Sequence, residues 1–442
     1  MECEMDGVAV SKEEGVRGGN AWWATMAGFS ASLVGIGLAR FAYTPLLPAI
    51  IGAHWFDASM AAYLGAANLA GYLAGALSAR PIAARLPIAV ALRLMMLLAT
   101  VAFFACAYPV SFSWFFSWRF LSGLAGGGLM VLAAPTVLPL VPPSRRGLAS
   151  GVIFMGVGVG VAASGTLIPL LLQRSLHDTW VGLGILSLIL TAIAWKGWPA
   201  DAAGEAAPPP RGRQTAQVRH AQRLPQRQGA RHAQHIPHQQ HTRHRPLPPI
   251  RSLRALYVEY ALNAAGWVPH MIFLVDFVAR GLGQGLQVGA QYWVLFGIGA
   301  TVGPVFAGAL ADRIGFGRAL RVAFTVQACG VAIPALGLGS AWLIASSVVV
   351  GAFVTGTVPL VLGRVHELLA HRPAERGPAW RTATVGFALF QAVAAYGLSF
   401  VFTRSGGDYI LLFVIGTGAM VLALAIDLIA AYGRKDAVSE AS

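Results

Sequence analysis

Residues 35–48 read GIGLARFAYTPLLP and residues 118–128 read WRFLSGLAGGG. Each run is apolar and glycine-rich, yet each carries one arginine, Arg40 or Arg119. A guanidinium keeps its charge at any physiological pH and presents N–H donors in a planar fork that matches carboxylates and phosphates. No Asp or Glu lies between Asp57 and Asp178, so the surrounding segments offer these arginines no acidic partner. Residue type leaves two assignments open. The arginines supply positive potential for an anionic ligand group or for a carboxylate from later in the chain. Alternatively, they donate to backbone carbonyls where glycine and proline interrupt a helix. His270, in GWVPHMIFLVD, is a third candidate, either as a titrating group or as a packed, hydrogen-bonded ring.

The elements that must position these residues are set by composition. Of 442 residues, 56% are hydrophobic and 11% charged, with a mean hydropathy of +0.63. A soluble domain of this length needs more charge to cover its surface. Twelve apolar stretches are long enough to cross a bilayer: 21–49, 59–79, 87–107, 112–140, 147–172, 179–198, 254–279, 287–311, 318–338, 341–363, 382–403 and 409–432. The expected fold is all-α and integral to the membrane. If the first helix ends near Pro48, Arg40 lies about 12 Å inside it, and Arg119 lies about 10 Å in from Phe112. At such depth an arginine facing hydrocarbon costs at least about 3 kcal/mol, whereas one facing a wet cavity costs much less. Arg93, close to a helix end, is expected to snorkel.

The net charge of +14 is explained by position rather than by nucleic acid. Outside the long central linker, fifteen Lys and Arg fall on the side of the membrane that holds both termini, against Arg174, Arg280 and Arg404 on the other. This asymmetry places both termini in the cytoplasm. Residues 1–20 lack the pattern of a cleaved secretory signal and read as a cytoplasmic tail, with the first helix retained as an anchor. A second tail is expected at 433–442. Cys3, Cys106 and Cys329 are scattered and imply neither disulfide nor thiolate metal site. Residues 199–253 are rich in Arg, Gln, His and Pro, a composition that cannot build a core. His232, His235, His238, His241 and His244 recur every third residue there, but no carboxylate or cysteine completes a metal site. No cofactor is indicated.

The chain reads as two halves of six helices, 21–198 and 254–432. LAGYLAGALSAR (69–80) aligns with VGPVFAGALADR (302–313), and Arg146 followed by Gly151 parallels Arg381 followed by Gly386. With GALADRIGFGR at 308–318, this pattern resembles the major facilitator superfamily: Gly308, Asp312, Arg313, Gly315 and Arg318 fit its loop signature. The first-half copy keeps Gly75 and Arg80 but has Ala79 in place of the acid, and Val157 stands where exporters of the family often have proline. Gly35, Gly37, Arg40, Phe41, Pro45 and Pro48 resemble the first-helix pattern of the YbfB/YjiJ branch. The resemblance implies two pseudo-symmetric six-helix bundles. It implies a secondary transporter of a small solute, working by alternating access as a monomer in a bacterial inner membrane, with protons as a candidate coupling ion. Arg40, Arg119 and His270 are thus candidate substrate or coupling residues, and by the resemblance Asp312, Arg313 and Arg80 form a cytoplasmic gate. Gly35, Gly37, Pro45, Pro48, Gly123, Gly156 and Gly160 serve packing and bending. Asp276, four residues before Arg280, reads as a surface pair, with proton coupling as the alternative, and Glu259 and Asp427 read as exposed residues near helix ends.

No HExxH, GxSxG or GxxxxGK[ST] motif points to an enzyme or an ATP-driven pump. The remaining alternative is a sensor using the histidine-rich linker. Deletion of residues 205–245 separates the two: a transporter retains solute flux in proteoliposomes, and a sensor loses its response.

Overall fold

The computed structural model describes residues 21–142, 146–199 and 250–439. The expected N-terminal tail (1–20) and residues 200–249 of the expected linker, with its five histidines, lie outside them, and the helix after the linker already begins at Ile250. Twelve helices are long and apolar enough to span a membrane. In the first half these are α1 (Ala21–Gly52), α2 (Ala58–Ala83), α3 (Ile88–Cys106), α4 (Phe112–Leu140), α5 (Gly151–Leu172) and α6 (Leu176–Ala194). In the second they are α7 (Ser252–Gly281), α8 (Leu286–Ile314), α9 (Phe316–Leu336), α10 (Ser340–Leu368), α11 (Pro373–Arg404) and α12 (Tyr409–Ala430). Six spans per half bring the start of α1, the end of α6, the start of α7 and the end of α12 to one face, here called the linker face. The opposite face is the far face.

Local chemistry sets the helix starts at the far face. Asp57, Ser111 and Ser175 each turn a side-chain oxygen onto a backbone N–H three residues ahead, at 2.7, 3.1 and 2.9 Å, satisfying a donor that the first turn leaves open. The two largest boundary differences from the sequence reading are at α11 and the last helix. α11 begins at Pro373, not near 382: PAERGPAW looks like a loop, but Pro373 occupies the first turn, where a missing N–H costs nothing, and Glu375 faces the positive helix end. The last helix continues to Ser439, past the expected end at 432, because no proline interrupts it.

Small residues let backbones touch, the main source of helix association in lipid. On α2 and α4 the glycines interlock reciprocally. A Cβ on Gly71 or Gly75 would overlap the carbonyl of Phe120 or Leu124, and one on Gly123 or Gly127 would overlap that of Asn68 or Tyr72. The second half repeats this between α8 and α10, with Gly299 and Gly303 against the carbonyls of Val348 and Ala352, and Gly351 against that of Phe296. Gly37 on α1 meets Gly160 and Gly156 on α5, and Gly156 in turn meets the Phe29 carbonyl.

The halves meet along α1 with α7, α2 with α11, and α5 with α8. Among the described residues, the side-chain hydrogen bonds joining them lie toward the far face. Ser59 meets Thr403 at 2.8 Å, Trp293 donates to Ser164 at 3.1 Å, and Thr44 and Arg40 both reach Met271. Tyr63 and Tyr396 pack with ring centres 6.2 Å apart in the same zone. The halves are therefore hydrogen-bonded toward the far face, while α5 and α8 also pack backbone to backbone nearer mid-length, where Gly158 meets Thr301 and Gly297 meets Ala162.

If the α2–α4 crossing is packed backbone to backbone, Gly75→Ala costs about 1–3 kcal/mol through overpacking. Thermal unfolding in detergent reads this directly, and an unshifted melting temperature would refute such close contact.

Candidate functional site

The site begins with an interruption in α1. Leu33–Leu38 form a π-helical turn, residues 39–42 a turn, and α-helix resumes at Tyr43. Pro45 has no N–H to return to the Phe41 carbonyl, which instead accepts from Thr44 at 3.3 Å. The Ala39 carbonyl gathers three side-chain donors: Arg119 Nη1 at 2.8 Å, Asn68 Nδ2 at 3.3 Å and Ser122 Oγ at 3.5 Å. Asn68 also reaches the Arg119 carbonyl at 3.2 Å, tying α1, α2 and α4 at one point. The Arg119 guanidinium lies 4.3 Å from the centre of the Tyr43 ring, whose hydroxyl donates to the Ala61 carbonyl at 2.7 Å. Arg119 is thus engaged with the exposed carbonyl of a broken helix and is 2% exposed.

Arg40 is held differently. Its side chain points to the second half, where Nη2 donates to Met271 Sδ at 3.2 Å, and its charge lies 5.1–5.6 Å from the ring centres of Phe41, Tyr72 and Trp267. A thioether is a weak acceptor, and Arg40 Nε has no partner. Leaving such a buried donor unmet costs about 1–3 kcal/mol. Met271 belongs to a second interrupted helix: α7 breaks at Trp267, with φ −95° and ψ 1°, and resumes at Val268. The Thr44 hydroxyl donates to the Met271 carbonyl, so the two broken helices clasp each other. A cavity of about 10 Å³, room for roughly one water centre, lies between them beside Arg40, Tyr43, Asn68, Arg119 and Met271.

The other candidates do not join this centre. His270 is fully buried inside the second half, with Nε2 2.8 Å from Ser346 Oγ and its ring edge-on to Phe413 at 5.1 Å. Asp312, Arg313 and Arg80 are exposed at the linker face and form no ion pair among the described residues. The nearby loop is held by Glu367 instead, which binds Arg364 at 2.6 Å and accepts from the Phe316 N–H at 3.1 Å.

Three surface readings need correction. Asp276 is fully buried, gripped by Arg280 at 2.5 and 2.6 Å and by the Tyr409 hydroxyl at 2.6 Å, because α12 closes over the end of α7. Asp427 pairs with Arg321 at 2.5 Å under partial burial, and Glu259 is buried. Arg280 and Tyr409 also line a far-face cavity of about 490 Å³ together with Asp57 and Ser59. Arg93 donates to the Trp195 carbonyl at 3.0 Å near the helix end. Sequence reasoning did not single out Tyr72, Trp267 and Met271 around Arg40. The Gly-Trp-Val-Pro run at 266–269 marked the α7 break that presents the latter two.

Twelve spanning helices in two matched halves, with paired broken helices between them, define a transporter fold. Solved structures agree. The chain is similar to the nucleoside transporter NupG (TM-score 0.68, 14% identity, covering 92% of this chain and 99% of that one). It is similar to a D-xylose-proton symporter (TM-score 0.67, 14% identity, 92% and 96%). It is also similar to the peptide transporter POT in complex with sulfate (TM-score 0.64, 17% identity, 93% and 94%). At these identities the likeness is one of fold. Curated protein sequences gave no match. A family model described as "Uncharacterised MFS-type transporter YbfB" matches residues 32–225 and 218–428, and the chain belongs to that family. It is a multi-pass membrane transporter of the major facilitator type, not an enzyme.

The Arg119 contacts carry a stability prediction. Arg119→Lys keeps one donor but loses the flat contact with Tyr43, a loss of about 1 kcal/mol. Arg119→Met loses the charged hydrogen bond too, about 2–3 kcal/mol. Melting curves that rank both variants with the wild type would show that Arg119 does not hold the break.

Proposed function

We propose that the protein is a secondary transporter that carries a small organic anion by alternating access, with Arg40 as the positive group that meets it. One observation carries this reading. Arg40 is buried between the two halves against aromatic rings and a thioether, and among the described residues it forms no ion pair. A charge held out of water without a counterion gains most from a ligand that brings one. The planar fork suits a carboxylate, and the aromatic surround suits an apolar body attached to it.

The drive is a solute or proton gradient, since no nucleotide-binding motif is present. By the charge asymmetry of its loops, the linker face lies on the cytoplasmic side of a bacterial inner membrane. In that orientation the far-face contacts close the path to the outside, and the exposed Asp312, Arg313 and Arg80 stand ready to join when the cytoplasmic side closes. The protein works as a monomer.

The test is Arg40→Lys in proteoliposomes loaded for counterflow with carbon-labelled carboxylates. A single ammonium keeps the charge but loses the fork, so flux should fall about tenfold or more, with monodisperse protein and little change in melting temperature. Unchanged transport kinetics would remove Arg40 from the substrate path.

A further inference from the structure

Buried polar atoms without partners are rare in folded proteins, and each one calls for an explanation. Here several gather at one level of the membrane. Among the described residues, Arg40 Nε, Arg119 Nε and Asn68 Oδ1 of the first half lack partners. In the second, Trp267 Nε1 and both amide atoms of Gln391 lack them, and Gln391 and Trp267 are 1% and 2% exposed.

The packing aligns these groups. Tyr63 of α2 and Tyr396 of α11 meet across the halves. Asn68 and Gln391 each lie five residues deeper toward the linker face, about 7.5 Å along their helices, and are therefore level. Gln391 follows Phe387 by one turn on the same face of α11, and Phe387 packs 6.5 Å from Trp267, the ring beneath the Arg40 charge. An amide with neither its donor nor its acceptor met, one helical turn from the ring that packs on Trp267, whose indole N–H is also unmet among the described residues, fits a ligand group that both donates and accepts.

We infer that Gln391, with Trp267 Nε1, is the specificity-determining contact of the second half. It reads a hydroxyl on a carboxylate whose charged end is held by Arg40 and whose flat hydrocarbon body lies among Phe41, Tyr72 and Trp267. The substrate class is then a hydroxylated cyclic or aromatic carboxylic acid. This rests on the anion reading above and adds to it the group opposite the charge. The hydroxyl is recognised because its absence leaves the amide and the indole buried and unmet, the circumstance in which a polar site discriminates most strongly.

The experiment uses purified full-length protein in detergent and four probes in matched pairs: benzoate with 4-hydroxybenzoate, and cyclohexanecarboxylate with 4-hydroxycyclohexanecarboxylate. Dissociation constants come from titration calorimetry. The wild type should bind each hydroxy acid about tenfold or more tightly than its partner. In Gln391→Met, of similar length and without the amide, that ratio should collapse to about one; Gln391→Asn, which keeps the amide on a shorter arm, should retain part of it. Gel filtration confirms that both variants are folded. If the wild type binds the acids without preference, or if Gln391→Met keeps the preference, the inference is overturned while the anion reading stands. If the wild type binds none of the four, the anion reading fails and takes the inference with it.

Discussion

A guanidinium cannot shed its charge at any pH a cell reaches, so burying one forces the surroundings to adapt. Arg119 and Arg40 show two solutions a few residues apart in space. For Arg119 the protein supplies a negative dipole of its own, the Ala39 carbonyl, freed by the interruption of α1. Arg40 receives only ring faces and a sulfur. The first arrangement lies within one half, with Arg119 Nε still unmet among the described residues, and the second is shared across the two.

The packing follows the same division. Within each half, glycine pairs bring α2 onto α4 and α8 onto α10 with backbone against backbone, contacts that resist sliding because no side chain lies between them to adjust. Between the halves, side-chain hydrogen bonds such as Ser59 with Thr403 and Trp293 with Ser164 are sparse, and glycines again bring backbones together where α5 crosses α8, Gly158 against Thr301 and Gly297 against Ala162. Neutral hydrogen bonds of this kind contribute about 1 kcal/mol each, so they can exchange for others without either half coming apart.

Much of this was legible in the chain, and the reasons for what was not are physical. Helix number and placement follow from hydrophobic length, which dominates in lipid. The start of α11 was obscured because proline and charge mark a loop in the middle of a segment but are welcome in a first helical turn. Asp276, Glu259 and Asp427 were read as exposed because position along a helix shows depth but not rotation; only the neighbouring helix decides whether a carboxylate meets water, Arg280 or Arg321. Arg40 and Arg119 stood out by type alone, yet the assignment of one to a carbonyl and the other to the opposite half needed the fold. Gln391 was visible as a polar residue in an apolar helix, but its lack of partners is a property of packing.

The bond from Thr44 to Met271 has a consequence for how such a protein can change over generations. The acceptor is a main-chain oxygen, which every amino acid at position 271 would offer equally. The side chain at that position, by contrast, is what the Arg40 fork encounters. On the proposed reading of Arg40 as the substrate contact, drift at 271 retunes what the cavity welcomes while the clasp between the helices persists, so a lineage gains new cargo without first relearning how to shut.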